Sequence, residues 1–247
     1  MITRRTLIAS TGGLILAGCD RLDRSPEFRR ALRLGEQLNY RAQRLIMDRG
    51  ALAHEYRPDQ RSPVFRANGT RMPTGDVYAA HAASGFAEWR LTVGGLVARP
   101  LSLSMAEIRA MPRREQITRH DCVEGWSAIG KWTGVPLKLL LDLAGARSSA
   151  RFAVFRCADR YGASNYYESI DLIDALHPQT ILAWMLNDAS LPISNGAPLR
   201  LRVERMLGYK HAKYVERIEL VDDLASIGQG YGGYWEDSHD YEWYAGI

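Results

Sequence analysis

The order of predicted elements points to an α+β fold with mixed β-sheets and short helices. Three observations carry this. Period-two alternation of apolar residues recurs, as in Trp89-Leu91-Val93 and Leu199-Leu201-Val203. The helical stretches between such segments are short and capped. Strands and helices do not alternate regularly, as they would in a doubly wound sheet. With 46% hydrophobic and 24% charged residues, the chain can build a sizeable core.

From Pro26 to about Leu52 the pattern is helical. Phe28, Leu32, Leu38, Ala42, Leu45 and Ile46 fall near one face and arginines on the other. Such a helix packs on a domain or rests its basic face on lipid headgroups, and domain packing is the expectation. Residues 58–87, with Pro58, Pro63, Pro73, Gly69 and Gly75, read as an extended wrapping segment. The strand at Trp89–Val93 ends at Gly94-Gly95. Ser104 to Met111 reads as a helix, with Ser104 and Glu107 as a capping box and Pro112 as its stop.

Residues 115–122 read as a strand entering a loop at 122–134. Pro136 is placed at the first position of a helix whose core face is Leu137, Leu140, Leu141 and Ala144, with Gly145 ending it. Phe152–Cys157 is a further strand. Asp171 caps a helix through Leu176, stopped by Pro178. Ile181–Leu186 is a short apolar run followed by an Asn187-Asp188 turn, and Val215–Val221 alternates more weakly.

The first nineteen residues carry Arg4-Arg5 before a modest apolar run, Leu7–Ala17, too short to span a bilayer. The arginine pair with Thr6-Leu7-Ile8 resembles a twin-arginine export signal, and Leu16-Ala17-Gly18-Cys19 resembles a lipobox whose cysteine becomes lipidated. The expected location is therefore the periplasm, anchored to the membrane through lipid on Cys19. Without Arg4 and Arg5, 30 basic residues face 28 acidic ones, too even a balance to suggest nucleic acid.

Common nucleotide, zinc-protease and serine-hydrolase motifs are missing, and the six histidines form no i,i+4 pair. If Cys19 is lipidated, Cys122 and Cys157 remain, and cysteine arithmetic alone leaves a disulfide open. Cys122 sits in the polar stretch Thr118–Ser127, where Arg119 and His120 are expected to lower its pKa and favour a thiolate, a ligand suited to a metal.

His120-Asp-Cys-Val-Glu-Gly-Trp-Ser127 followed by Trp132-Thr-Gly-Val-Pro-Leu137 resembles the signature of sulfite-oxidase-like molybdopterin oxidoreductases. Phe65–Thr70, Phe152–Asp159, Asn195-Gly-Ala-Pro-Leu-Arg200 and Gly208-Tyr-Lys-His-Ala-Lys213 match further segments in family order, so the resemblance covers most of residues 65–221. It implies a sulfite-oxidase-type molybdopterin-binding fold and Mo-molybdopterin as cofactor, with Cys122 as metal ligand and catalytic residue. It implies cofactor contacts from Asn68, Arg71, Met72, Cys157, Asn195, Arg200, His211, Ala212 and Lys213. Cys157 is a departure, because relatives often carry a hydroxyl there. Taken singly, Arg200 reads equally as a strand arginine paired with Glu204 or Glu216, Lys213 as solvated, and Trp126 and Trp132 as core.

The resemblance also implies oxygen-atom transfer to or from a small substrate such as sulfite or a sulfoxide. Electrons would be exchanged with a separate membrane or periplasmic cytochrome, since the chain has no haem or iron–sulfur motif. The expected organisation is a leader at 1–19, a linker and helix at 20–64, a catalytic domain at 65–225, and an aromatic tail at 226–247 packing on it. Twenty-six residues follow Val221, short of the ~100 of an immunoglobulin-like dimerisation domain, and a monomer is expected. Two other readings stand beside this one: a metal-free thiol enzyme using Cys122 with His120 or Asp121, and a non-catalytic lipoprotein with a Cys122–Cys157 disulfide.

Overall fold

The computed structural model describes residues 25–247. The leader, its arginine pair, Cys19 and the start of the linker lie outside the described residues. The chain divides into two compact units, meeting at Asp48 and Arg49.

The first unit contributes one described element, helix α1 (Pro26–Ile46), shorter at its end than the sequence suggests. Ser25 caps it by accepting a hydrogen bond from the Phe28 amide, and Pro26 occupies the first turn, where no amide is needed. None of its residues is buried. Leu38, Leu45 and Ile46 are exposed.

The second unit is built on two five-stranded sheets. One has the order β2 (Leu101–Ser104), β1 (Arg90–Gly95), β10 (Val215–Val221), β5 (Phe152–Tyr161), β6 (Ser164–Asp171), with β1 and β10 parallel and the other pairs antiparallel. The other runs β3 (Arg114–Cys122), β4 (Trp126–Pro136), β7 (Ile181–Leu186), β8 (Ala189–Ser190), and β9 (Arg200–Arg202) also pairs with β7. Short helices α2 (Asp76–Ala83), α3 (Met105–Ala110), α4 (Leu137–Ala144), α5 (Leu172–Ala175) and α6 (Tyr234–His239) fill in around them. The mixed-sheet α+β architecture is as expected.

Local chemistry explains most element ends. The Ser104–Glu107 capping box is formed and Asp171 caps α5. Leu137, Leu140, Leu141 and Ala144 are fully buried, and each of these leucines contributes roughly 1.5–3 kcal/mol by leaving water. Pro136 is the cap residue of α4 and not its first helical residue, and Gly145 ends the helix in the left-handed region.

Two expectations fail, and one strand goes unannounced. The loop expected at 122–134 is mostly strand: β3 and β4 form a hairpin around residues 123–125. Its alternation is masked by Gly130 and Gly134, which have no side chain because Phe65 and the Leu182 backbone press on them. The segment 58–87 contains α2, whose short alanine-rich sequence buries only Tyr78 and so shows no stripe. β6 is a strand the pattern does not reveal, because the buried Glu168, Ser169 and Asp171 are polar.

Candidate cofactor-binding site

Along β3 the inward row is Gln116, Thr118, His120 and Cys122, an unusually polar set for a buried strand face. The pleat thus delivers the Cys122 thiol to the inner end of the hairpin. The tight turn that follows is closed by the Gly125 amide donating to the Cys122 carbonyl at 3.0 Å, with Gly125 at φ 84°. His120 packs edge-on against His211 at 5.0 Å between ring centres. Gly208 lies so close that a Cβ there would meet the His120 ring at 2.6 Å, which locks the 208–213 loop onto β3.

Five cations between positions 200 and 213 are buried, and Arg205 pairs with Asp174 at 2.8 Å. Arg202 makes a bidentate pair with Glu204 (2.9 and 2.7 Å) and donates to Nδ1 of His120 at 3.0 Å. Lys210 is held by Glu168 and Glu236 at 2.6 and 2.5 Å. Arg200 and Lys213 differ. Arg200 donates to the Asn195 carbonyl (3.1 Å) and to Oδ1 of Asn68 (3.2 Å), and its Nε has no partner among the described residues. Lys213 donates to the carbonyls of Asn68 (2.6 Å), Ser194 (2.9 Å) and Thr70. No carboxylate among the described residues pairs with either.

Lys213 lines a cleft with about 620 Å³ of space, and Arg200 reaches its wall through Asn68. Cys122, Asn68, His211, Ala212 and Lys213 line it from the β3 side and the 208–213 loop. Asp159, Tyr161 and Tyr166 line it from β5 and β6, and Trp235 and Tyr241 from the C-terminal segment. The aromatic wall is continuous: Tyr161 stacks on Tyr234 at 4.9 Å, Trp235 on Tyr241 at 5.8 Å, and Tyr241 meets Tyr209 edge-on at 5.1 Å. Tyr166 fixes the loop by donating its hydroxyl to the Tyr209 carbonyl at 2.8 Å.

Burial dominates the electrostatics. It pulls Lys213 down to about 7, helped by nearby Arg200. Burial and Arg202 press Arg200 down to about 9, still charged at neutral pH. Burial raises Asp159 to about 6. His120 and His211 are held well below the usual imidazole range by burial and by the neighbouring cations. The expected lowering of the Cys122 pKa by Arg119 and His120 is not found. Burial raises it, the Glu124 amide and Arg200 only partly opposing, while Arg119 is occupied with Asp121 at 2.9 Å.

Of the residues picked from the sequence, Asn68, Cys122, His211, Ala212 and Lys213 meet in the cleft. Arg200 and Asn195 are buried and bonded to one another behind it. Cys157 is buried on β5 and does not line the cleft, and Arg71 and Met72 are exposed outside its lining. Cys122 and Cys157 are both free, which removes the disulfide. Arg200 pairs with neither Glu204 nor Glu216, Lys213 is not solvated, and Trp132 is core. Asp159, Tyr161, Tyr166, Trp235 and Tyr241 were not foreseen as site residues. Trp235 and Tyr241 are signalled only by the aromatic richness of the tail, and Asp159 only by its place at the end of the Phe152–Asp159 segment.

The cleft suits a long anionic cofactor. Two buried cations make no ion pair among the described residues, and one guanidinium nitrogen is unpartnered, a state that costs energy unless an acceptor arrives. One thiol can reach a metal, and among the described residues no cluster of three His, Cys, Asp or Glu side chains could hold one. A metal here would take its other ligands from the cofactor.

Comparison with known proteins agrees. The family model described as "Oxidoreductase molybdopterin binding domain" matches residues 78–226. The "Putative protein-methionine-sulfoxide reductase subunit YedZ1" of Azospira oryzae is 44% identical over 160 residues, covering 65% of this chain and 56% of that one. The protein-methionine-sulfoxide reductase catalytic subunit MsrP of Xanthomonas axonopodis pv. citri is 39% identical over 147 residues, covering 55% and 46%. The chain spans about half the length of these curated relatives. The sulfane dehydrogenase SoxCD from Paracoccus pantotrophus shares the fold, with a TM-score of 0.52 and 24% identity over 56% of this chain and 39% of that one. Ordered motifs, a cleft lined by the Cys122 thiol and the buried Lys213, and a family match over most of the second unit converge: the chain belongs to the oxidoreductase molybdopterin-binding family, of sulfite-oxidase-like type.

Proposed function

We propose that this chain is the catalytic part of a molybdenum–molybdopterin enzyme that removes oxygen from a sulfoxide, passing the electrons from a separate redox protein. The observation that carries this is the pair of buried cations without carboxylate partners, Arg200 and Lys213, beside a cleft that also receives the Cys122 thiol. Sulfoxide is favoured over sulfite by the relatives named as methionine-sulfoxide reductase subunits.

When bound, the molybdenum cofactor supplies the two-electron exchange of an oxygen atom. The chain's residues do the rest. Cys122 would be the metal's protein ligand, held as the thiolate despite its raised pKa. Arg200 and Lys213 neutralise the cofactor's phosphate, with the loop at His211 and Ala212 closing round it. Asn68 and Asn195 hold Arg200 in orientation and, with it, contact the pterin. Arg71, Met72 and Cys157, outside the cleft lining, are kept as weaker candidates for the same contact. Tyr161, Trp235 and Tyr241 wall the open side, where an apolar sulfur-bearing group is received without water.

The domain is assigned to 65–225 with the tail 226–247, acting as a monomer in the periplasm. A lipid on Cys19 keeps it near a membrane or periplasmic cytochrome. A thiol enzyme is disfavoured by His120. Its Nδ1 lone pair accepts from Arg202, so the neutral ring carries its proton on Nε2 and has no lone pair left to take one from Cys122. Elemental analysis tests the reading: about one molybdenum per chain is expected, lost or spectroscopically altered in Cys122→Ser. Metal-free protein from cells that make the cofactor would overturn it.

A further inference from the structure

Helix α1 sorts its side chains sharply. At 100° per residue, Phe28, Leu32, Leu34, Leu38, Leu45 and Ile46, with Ala31, Gly35 and Ala42 between them, fill an arc of roughly 160°. Asn39 is the polar interruption on that arc, and Glu27 sits at its N-terminal end. The opposite arc carries Arg29, Arg33, Glu36, Tyr40 and Arg44, while Arg30 and Arg41 fall at the boundary beside Leu34. Arginines well outnumber glutamates over the helix.

The face open to solvent is the apolar one. Arg33, Glu36, Tyr40 and Arg44 are partly covered, whereas every large apolar residue of the helix is exposed, up to 86% for Leu45. Six of the fourteen exposed large hydrophobics among the described residues fall on these twenty-one residues. No helix among the described residues is long and apolar enough to cross a membrane. A basic amphipathic helix that is apolar on one face and strongly charged on the other is the form that lies in a bilayer surface, leucines among the acyl chains and arginines reaching the phosphates.

We propose that α1 is a membrane-surface helix that seats its Leu34-Leu38-Leu45 face in an anionic bilayer, with Arg30 and Arg41 contacting lipid phosphates along its edge. It deepens the membrane location proposed above and rests on it for its setting, but it needs no acyl chain. Anionic lipid is the occupant that matches both the apolar arc and the surplus of arginine. A second copy of the chain, bringing the same basic helix, would match the first feature alone.

The test uses the full chain with Cys19→Ser, so that lipidation cannot contribute, and vesicles of phosphatidylcholine with or without phosphatidylglycerol. Binding is expected to be stronger on the anionic vesicles. Leu38→Glu with Leu45→Glu should weaken it more than tenfold. Arg30→Gln with Arg41→Gln should bring it down to near the neutral-vesicle level, each exposed arginine being worth about fivefold. Circular dichroism and thermal melting of both variants should match the parent. Unchanged binding in both variants would overturn the proposal and assign any adsorption to the apolar leader, leaving the lipid-anchor reading intact. A shift from dimer to monomer on Leu38→Glu with Leu45→Glu would overturn it in favour of a second copy, and a fall in melting temperature in favour of packing within the chain. Loss of lipid attachment in unsubstituted Cys19 chains, with vesicle binding retained, would sink the anchor alone.

Discussion

Arg202 and Lys210 differ from Arg200 and Lys213 in one respect: the first two are neutralised by carboxylates, and the second two are met only by carbonyls and an amide. All four are buried within one stretch of chain. Burying a charge costs several kcal/mol unless it is paired. A fold that pairs two cations completely and leaves their neighbours unpaired is keeping the latter for a charge from outside. On the function proposed above, the paired cations are architecture and the unpaired ones await the cofactor's charge.

The sharpest way to break this division is Lys210→Met. It leaves Glu168 and Glu236 facing one another in the interior, and should cost about 3–5 kcal/mol in denaturant unfolding of the cofactor-free chain. A cost as small as that of Lys213→Met would erase the distinction. The pH dependence comes next. Folded Lys213 titrates at about 7 against roughly 10.4 unfolded, so above pH 7 the unfolded chain holds a proton the folded chain has released. Stability of the cofactor-free chain should therefore rise from about pH 7 to 9, by at most a few kcal/mol. Lys213→Met, or saturation with the cofactor, should flatten that slope in urea melts, and a slope that survives the substitution would reassign it.

For cofactor retention the expected effect of Lys213→Met is smaller. Losing charge-assisted bonds worth about 1.5–3 kcal/mol should weaken retention roughly 10–100-fold, measured by molybdenum content after dialysis, while the cofactor-free chain melts no lower than the parent. Smallest is Ser104→Ala, which removes the cap of α3 and should cost about 1 kcal/mol with no change in metal content. It separates simple destabilisation from loss of the site.

What the sequence made legible follows from how each signal is written. Caps and stops are local, so Ser104, Asp171 and Gly145 could be read directly. The cation loop was legible through its motif, although His211 and Lys213 owe their effect to β3 and to the carbonyls of 68–70, which no local pattern announces. The β3–β4 hairpin was hidden because Gly130 and Gly134 break the alternation for the sake of neighbours distant in sequence. Asp159 falls in a strand motif that gives it no role of its own, since its part depends on burial. The Cys122 environment was misjudged for a similar reason. Arg119 and His120 are adjacent in sequence, but on a strand Arg119 points away, and the His120 imidazole is kept neutral by the interior.

The contact of Gly208 with His120 also sets an order of assembly. The wall carrying Cys122 is synthesised first, but the loop that seals against it is nearly 90 positions later, and Trp235 and Tyr241 later still. During synthesis from the N-terminus the ribosome therefore delivers the Cys122 thiol long before it delivers the cations and aromatic wall that enclose it. The cleft is complete only once Tyr241 has emerged, so cofactor insertion belongs after translation of this segment, on a chain whose last strand, β10, is already available to close the first sheet.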